Sequence, residues 1–300
     1  MYIFSFFKSL FRPRNILPTI YFFANAAIVF FIFYILPYSI TPNETMNRIY
    51  LGLIGLGVNF VFILISLTPM GEAFWRLRNG IKRQPAAQEL QQDWSTALEV
   101  FEQVKAEARG LSKSVSDKVK LYYSSSEDIN AYALGHRTVV ITKGILGAHP
   151  EYLKGVLAHE FGHIAHGDSD LKLGINVSNC ILTIFLTIIT FFTYAIITIL
   201  QAFDSTFTNI VAVILHFIFS IVIIGLFKLW NLVGVLLINW SSRKAEYAAD
   251  KFADQIGYGE QLAMFLSAID GESVKTSTFD IMFQTHPATR DRLAALNYTA

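Results

Sequence analysis

A single cysteine, Cys180, stands in a chain of 300 residues. One thiol forms no intramolecular disulfide and builds no cysteine-ligated zinc site, so any metal must be held by His and carboxylate groups. Charge is sparse and balanced: 24 Lys and Arg against 23 Asp and Glu leave a net +1. No basic run interleaved with aromatic residues is present, which argues against a nucleic-acid partner. Internal repeats and low-complexity tracts are also lacking. What the chain has in excess is apolar: hydrophobic residues make up 53%, mean hydropathy is +0.43, and the surplus lies in blocks. Blocks of that kind mark an integral membrane protein.

The first block, from about Leu17 to Ile40, comes after Lys8, Arg12 and Arg14. It exceeds the ~7–15-residue apolar core of a secretory signal and lacks a small-residue cleavage site, so it reads as a retained anchor. A polar turn, Thr41 to Arg48, separates it from a second span, Ile49 to about Leu67, which Thr68 and Pro69 end. Arg76, Arg78, Lys82 and Arg83 come next, so positive charge brackets the hairpin of residues 1–69 and both its ends are expected in the cytoplasm. A second hairpin, residues 173–229, comprises spans of about 173–200 and 210–229; its turn, 201–209, has no Lys or Arg and belongs on the outer side. The apolar pattern continues from Trp230 through Trp240, too far for one ~30 Å hydrocarbon layer. The last helix should therefore leave the membrane near Lys228 and run on, buried, into a soluble domain.

That domain is assembled from residues 70–172 and 230–300. Leu90, Trp94, Leu98, Phe101 and Val104 recur at helical spacing on a polar background, as in a water-exposed amphipathic helix. Lys118–Ser124, Asn130–Leu134 and Thr138–Thr142 are short, rich in Val, Ile, Tyr and Thr, and read as strands of a small sheet. The chemistry is concentrated in His159-Glu160-Phe161-Gly162-His163. On a helix this H-E-x-x-H pattern sets both imidazoles on one face, in reach of a single ion, with Glu160 beside them as a general base. An ordinary amphipathic helix carries such a pattern by chance. Here apolar flanks, Gly155 to Ala158 and Ile164-Ala165, bury the motif, and two buried imidazoles call for a partner such as a metal.

A catalytic zinc site takes three protein ligands and leaves one position open. His166 competes for the third place, but three ligands on one rigid helix surround an ion poorly. Glu246 is preferred, on a second helix, with Asp250 one turn along to accept a hydrogen bond from a ligand imidazole. Asn130, Ala131 and Tyr132 offer an edge strand on which an extended peptide can pair.

His159-Glu160-x-x-His163 with Glu246-x-x-x-Asp250 is similar to the gluzincin arrangement. With two spans before the motif and two between the halves of the site, the chain resembles the HtpX family of integral-membrane zinc metalloproteases, related to the type I CAAX prenyl proteases. Asn130-Ala131-Tyr132 matches that family's edge-strand motif and His286-Pro287-x-x-x-x-Arg292 its C-terminal one; by that resemblance His286 or Arg292 stabilises the oxyanion. The family's Asn is replaced here by His166. The resemblance implies a mostly α, α+β protein: four transmembrane helices and a cytoplasmic zincin-like domain with a small β-sheet. It implies a multi-pass protein of the bacterial inner membrane, both termini cytoplasmic, holding one Zn2+ per chain and cutting membrane-protein substrates in quality control. The rival functions are a CAAX-type prenyl-protein protease, which has more spans, and a non-catalytic zinc scaffold or sensor, which needs no Glu160. The sequence assigns no oligomeric state.

Overall fold

The computed structural model describes residues 2–35, 45–201, 206–270 and 289–297. The chain is mostly helical, with one small sheet, and divides into two compact units. Among the described residues four helices are long and apolar enough to cross a membrane, Pro13–Ile35, Thr45–Ser66, Asp168–Phe192 and Ser220–Leu237, so this is a multi-pass membrane protein.

One unit consists of residues 20–62 and 176–237. It takes in most of α2 (Ile16–Ile35) and α3 (Thr45–Ser66), with parts of α8 (Asp168–Gln201) and α9 (Thr206–Gln255). Its helices are cross-linked by polar side chains, the expected device where lipid removes the hydrophobic drive for association. Asn25 donates to Ser178 at 2.9 Å and to Asn179 at 2.8 Å, Trp230 Nε1 donates to Asn25 Oδ1 at 3.0 Å, and Tyr21 stacks on Trp230 at 4.9 Å. The sequence reading ends the fourth span near Lys228 and buries the residues from Trp230 onward. Instead Leu229, Val233 and Val235 are exposed and the apolar stretch runs to Leu237, with Lys228 inside it. A long lysine stem can carry its charge toward the interface, so one such residue does not end a span.

The other unit, residues 1–19, 63–175 and 238–300, holds the H-E-x-x-H helix. It includes α1 (Tyr2–Leu10), which the sequence reading assigns to the first hairpin. α1 belongs here because Phe6 and Leu10 are buried and the ring of Phe6 lies against Gly174, leaving no room for a Cβ there. α4 (Pro69–Arg78) begins at an N-cap, Thr68, that accepts from Gly71 N. α5 (Gln91–Leu111) turns Trp94, Ala97, Phe101, Val104 and Ala108 inward, the amphipathic stripe expected from sequence. β1 (Lys120–Ser124) pairs parallel with β3 (Thr138–Thr142), and β2 (Ala131–Leu134) pairs antiparallel with β3, giving the order β1-β3-β2. β3, the central strand, is buried throughout and β-branched at all five positions. After the short α6 (Lys143–Leu146), α7 (Pro150–His166) opens on a proline and runs through the core.

Phe101 meets Phe161 at 5.4 Å, and Leu157, Leu121, Ile141 and Leu262 close the same cluster, the last from α10 (Gly259–Asp270). Each such large side chain stabilises the fold by roughly 1.5–3 kcal/mol on burial. α7 ends at Gly167, whose φ of 70° is the left-handed conformation that glycine takes most cheaply. The corner lets α8 start at once, carrying Asp168 back toward α7. A short α11 (Thr289–Ala295) completes the unit.

Candidate active site

α7 presents His159 and His163 on one face, and α9 brings Glu246 to them; all three are buried. His159 Nε2 and His163 Nε2 stand 3.2 Å apart, and Glu246 lies 3.2 Å from the first and 3.4 Å from the second. Corners of a tetrahedron whose centre is about 2.0–2.1 Å away are separated by about 3.3 Å, so the triangle has the size a zinc ion requires. Two imidazoles and one carboxylate with a fourth direction open are also the donor set of a catalytic rather than a structural site.

Burial disfavours a charged imidazole at His163, but the facing Glu246 carboxylate outweighs it and pushes the pKa up to about 10. His159 is also raised: burial opposes the charge, and Asp250 and Glu246 overcome it.

Outside the triangle, His159 Nδ1 meets Asp250 Oδ1 at 2.7 Å. Burial works to raise the Asp250 pKa, but hydrogen bonds from Arg292 and His159 hold it below the ordinary carboxylate range. Arg292, with His286 one of the two candidates for the reacting oxygen, reaches the two oxygens of Asp250 with Nε and Nη2 at 2.9 Å and 2.6 Å. It therefore supports the residue that orients His159. His286 lies outside the described residues. His166 does not join the triangle. Its ring meets Phe252 edge-on at 6.1 Å, and burial drops its pKa to about 4.

Glu160 is buried beside His159, and its Oε2 accepts a 2.8 Å hydrogen bond from Ala133 N. The register explains why that amide is free. Thr142 N donates to Asn130 O, so the residues of β2 alternate, and Tyr132 and Leu134 turn their backbone groups to β3 while Ala131 and Ala133 turn theirs outward. β2 is the edge of the sheet among the described residues; Asn130 precedes the strand, and the groups facing the site belong to Ala131 and Ala133. Ala133 closes the stretch that the sequence offers as an edge strand, and period-two alternation from Ala131 points to its backbone. A cleft runs between this edge and Glu160, His163, Ser169, Lys172 and Glu246.

The far end of β2 is pinned by Glu72 of α4, a buried carboxylate at the β2–β3 turn. It accepts from His136 N at 2.8 Å, Arg137 N at 3.2 Å and the Thr138 hydroxyl at 2.9 Å. Burial pushes its pKa up against the pull of these donors. The cleft wall is thereby held to α4 by three hydrogen bonds.

The sequence pattern of Peptidase family M48 matches residues 96–300 of this chain. A protease HtpX homolog of Desulfotalea psychrophila is 26% identical over 202 residues, covering 57% of this chain and 64% of its own. The protease HtpX of Shewanella baltica is 29% identical over 199 residues, with 60% and 66% covered, and an HtpX homolog of Bacillus licheniformis is 29% identical over 209 residues, with 63% and 65% covered. The chain spans just under two thirds of the length of these relatives. Among solved structures, that of S. mikatae Ste24p is similar at a TM-score of 0.43 and 18% identity, over 90% of this chain and 62% of that one.

Proposed function

The chain belongs to Peptidase family M48, and from that premise we propose that it is a membrane-embedded, zinc-dependent endopeptidase that hydrolyses peptide bonds of membrane proteins at the cytoplasmic face. The observation that carries the reading is the triangle of His159, His163 and Glu246 with Glu160 adjoining it and an edge strand across the cleft. A zinc ion held there supplies Lewis acidity, lowering the pKa of water toward neutrality and polarising a carbonyl.

The protein's own groups do the rest. An extended substrate pairs with the outward N–H and C=O groups of Ala131 and Ala133, which lays its scissile bond along the cleft. Glu160 Oε2 then exchanges its resting partner, Ala133 N, for the attacking water. The carboxylate takes a proton from that water as its oxygen adds to the carbonyl carbon, and returns it to the nitrogen as the C–N bond breaks. Asp250, held by Arg292, keeps the His159 proton on Nδ1 and leaves Nε2 as a donor pair for the metal. His286 and Arg292 remain proposals for the oxyanion; in the resting geometry the Arg292 side chain is engaged by Asp250.

Lys and Arg at 8, 12, 14, 76, 78, 82 and 83 support a cytoplasmic placement of the catalytic residues and the N-terminus in a bacterial inner membrane. Substrates are then cytoplasmic loops or tails of membrane proteins, and a part in protein quality control belongs to the same proposal. The test is cleavage of an unfolded model protein in detergent with zinc, by wild type and by Glu160→Gln, with bound zinc quantified in both. Retained zinc with activity lowered by about 10²–10⁴-fold in the variant is expected for a general base. Equal cleavage by both proteins rules Glu160 out of that role, and zinc binding without any cleavage by wild type favours the scaffold reading.

A further inference from the structure

The two ligand imidazoles are supported from behind by different parts of the chain. His159 has the Asp250–Arg292 pair on its Nδ1 side. His163 turns Nε2 to Glu246 and His159, which leaves Nδ1 pointing the opposite way, buried and without a close hydrogen-bond partner among the described residues. Burial of such a group without a close partner leaves its lost hydration uncompensated. The carboxylate standing nearby is that of Asp168, whose Oδ2 is 3.5 Å from the nitrogen.

Asp168 is in turn gripped by Arg14: Nη2 lies 2.7 Å and 3.0 Å from its two oxygens, with the side chains 15% and 5% exposed. The N-terminal segment is seated to deliver this arginine. A Cβ at Gly167 would come within 2.6 Å of Ser5 Oγ, and one at Gly174 within 2.4 Å of the Phe6 ring, so α1 is pressed against the α7–α8 corner. Ser9 Oγ donates to Phe6 O at 2.9 Å and Asn15 Nδ2 to Ser9 O at 2.8 Å, fixing the turn in which Arg14 sits.

We infer that Asp168 and Arg14 are positioning residues for His163, the counterpart of Asp250 and Arg292 behind His159, and that the N-terminal segment with the start of the first span is thereby part of the support of the metal site. Arg14 lies outside the residues that match the family pattern, 96–300, so this support belongs to a part of the chain which that match does not reach. A purely structural ion pair would fasten α1 to the corner and leave the metal alone. A positioning pair sets the tautomer and orientation of a ligand, and its loss appears in metal affinity. The inference rests on the metalloprotease reading in taking His163 for a ligand.

The experiment uses the full chain in detergent, as wild type, Asp168→Asn, Arg14→Gln and Arg14→Lys. Zinc affinity is read by competition with a chelator, the cobalt(II)-substituted visible spectrum reports ligand geometry, and melting is followed without metal. Asp168→Asn and Arg14→Gln are expected to weaken zinc by about tenfold to hundredfold and to shift the cobalt spectrum, with Arg14→Lys recovering part of the loss. Zinc affinity within about twofold of wild type in both variants overturns the inference, whether or not melting falls. If Asp168→Asn does not fold, the two Arg14 variants decide the matter by the same criteria. A wild type that binds no zinc brings down the metalloprotease reading as well, which distinguishes the two failures.

Discussion

Gly162 lies inside the H-E-x-x-H motif and faces α9, the helix that carries Glu246. A Cβ built there would stand 2.8 Å from Ala249 Cα, 3.0 Å from its carbonyl oxygen and 3.1 Å from its Cβ. Ordinary carbon contacts are about 3.5–4.0 Å, so Gly162→Ala must drive the two helices apart by roughly 0.7–1 Å. Ala249 is one turn beyond Glu246, and Gly162 adjoins His163. The displacement therefore falls on the Glu246–imidazole separations of 3.2 and 3.4 Å, which would stretch past the ~3.3 Å edge of a zinc tetrahedron. Overpacking of this kind costs about 1–3 kcal/mol in the fold, and zinc affinity should fall by about tenfold to hundredfold.

Gly155→Ala is the control. Its Cβ would meet Leu262 N at 2.3 Å, on α10, away from the ligands. Both variants should melt lower than wild type, measured without metal. Only Gly162→Ala should lose zinc in a chelator competition carried out well below either melting point. Undiminished zinc affinity in Gly162→Ala, or equal losses in both variants, would refute the argument that helix separation sets the ligand triangle.

Proton and metal compete for His163, whose pKa in the ion-free protein is pushed up to about 10 from an ordinary 6.5. A raised folded-state pKa means the folded state binds the extra proton, so this contribution to ion-free stability is full below pH 6.5 and lost as pH rises through about 10. Apparent zinc affinity should climb through the same window by up to about tenfold per pH unit, and a flat profile from pH 7 to 10 sinks the assignment. Arg292→Ala strands the buried Asp250 carboxylate; breaking such a pair costs about 3–5 kcal/mol, visible as a lower melting temperature together with weaker zinc binding. Unchanged zinc affinity would remove Arg292 from the support of His159. Ala133→Pro deletes an outward N–H without touching the β2–β3 ladder. Losing one backbone hydrogen bond to an extended substrate should raise KM by roughly threefold to tenfold, and an unaltered KM would mean that β2 does not bind substrate.

Much of this architecture can be read without coordinates because it is local. Four apolar blocks, the strand at Thr138–Thr142 and the one-turn spacings of His159 with His163 and of Glu246 with Asp250 are set by helix and strand periodicity alone. The sequence by itself therefore determined a membrane protein with two imidazoles and a carboxylate suited to one ion. Tertiary structure decided what surrounds them. Arg14 meets Asp168 across 154 residues of chain, Arg292 meets Asp250 across 42, and Ala133 meets Glu160 across 27. Those pairings have no period to reveal them. Asp168 has no role in any sequence motif until the corner at Gly167 folds it back toward His163, and the contact of Arg292 with Asp250 exists only in the packed chain. A buried charge must find its opposite wherever the packed chain brings one, and packing is a property of the whole fold rather than of any stretch of it.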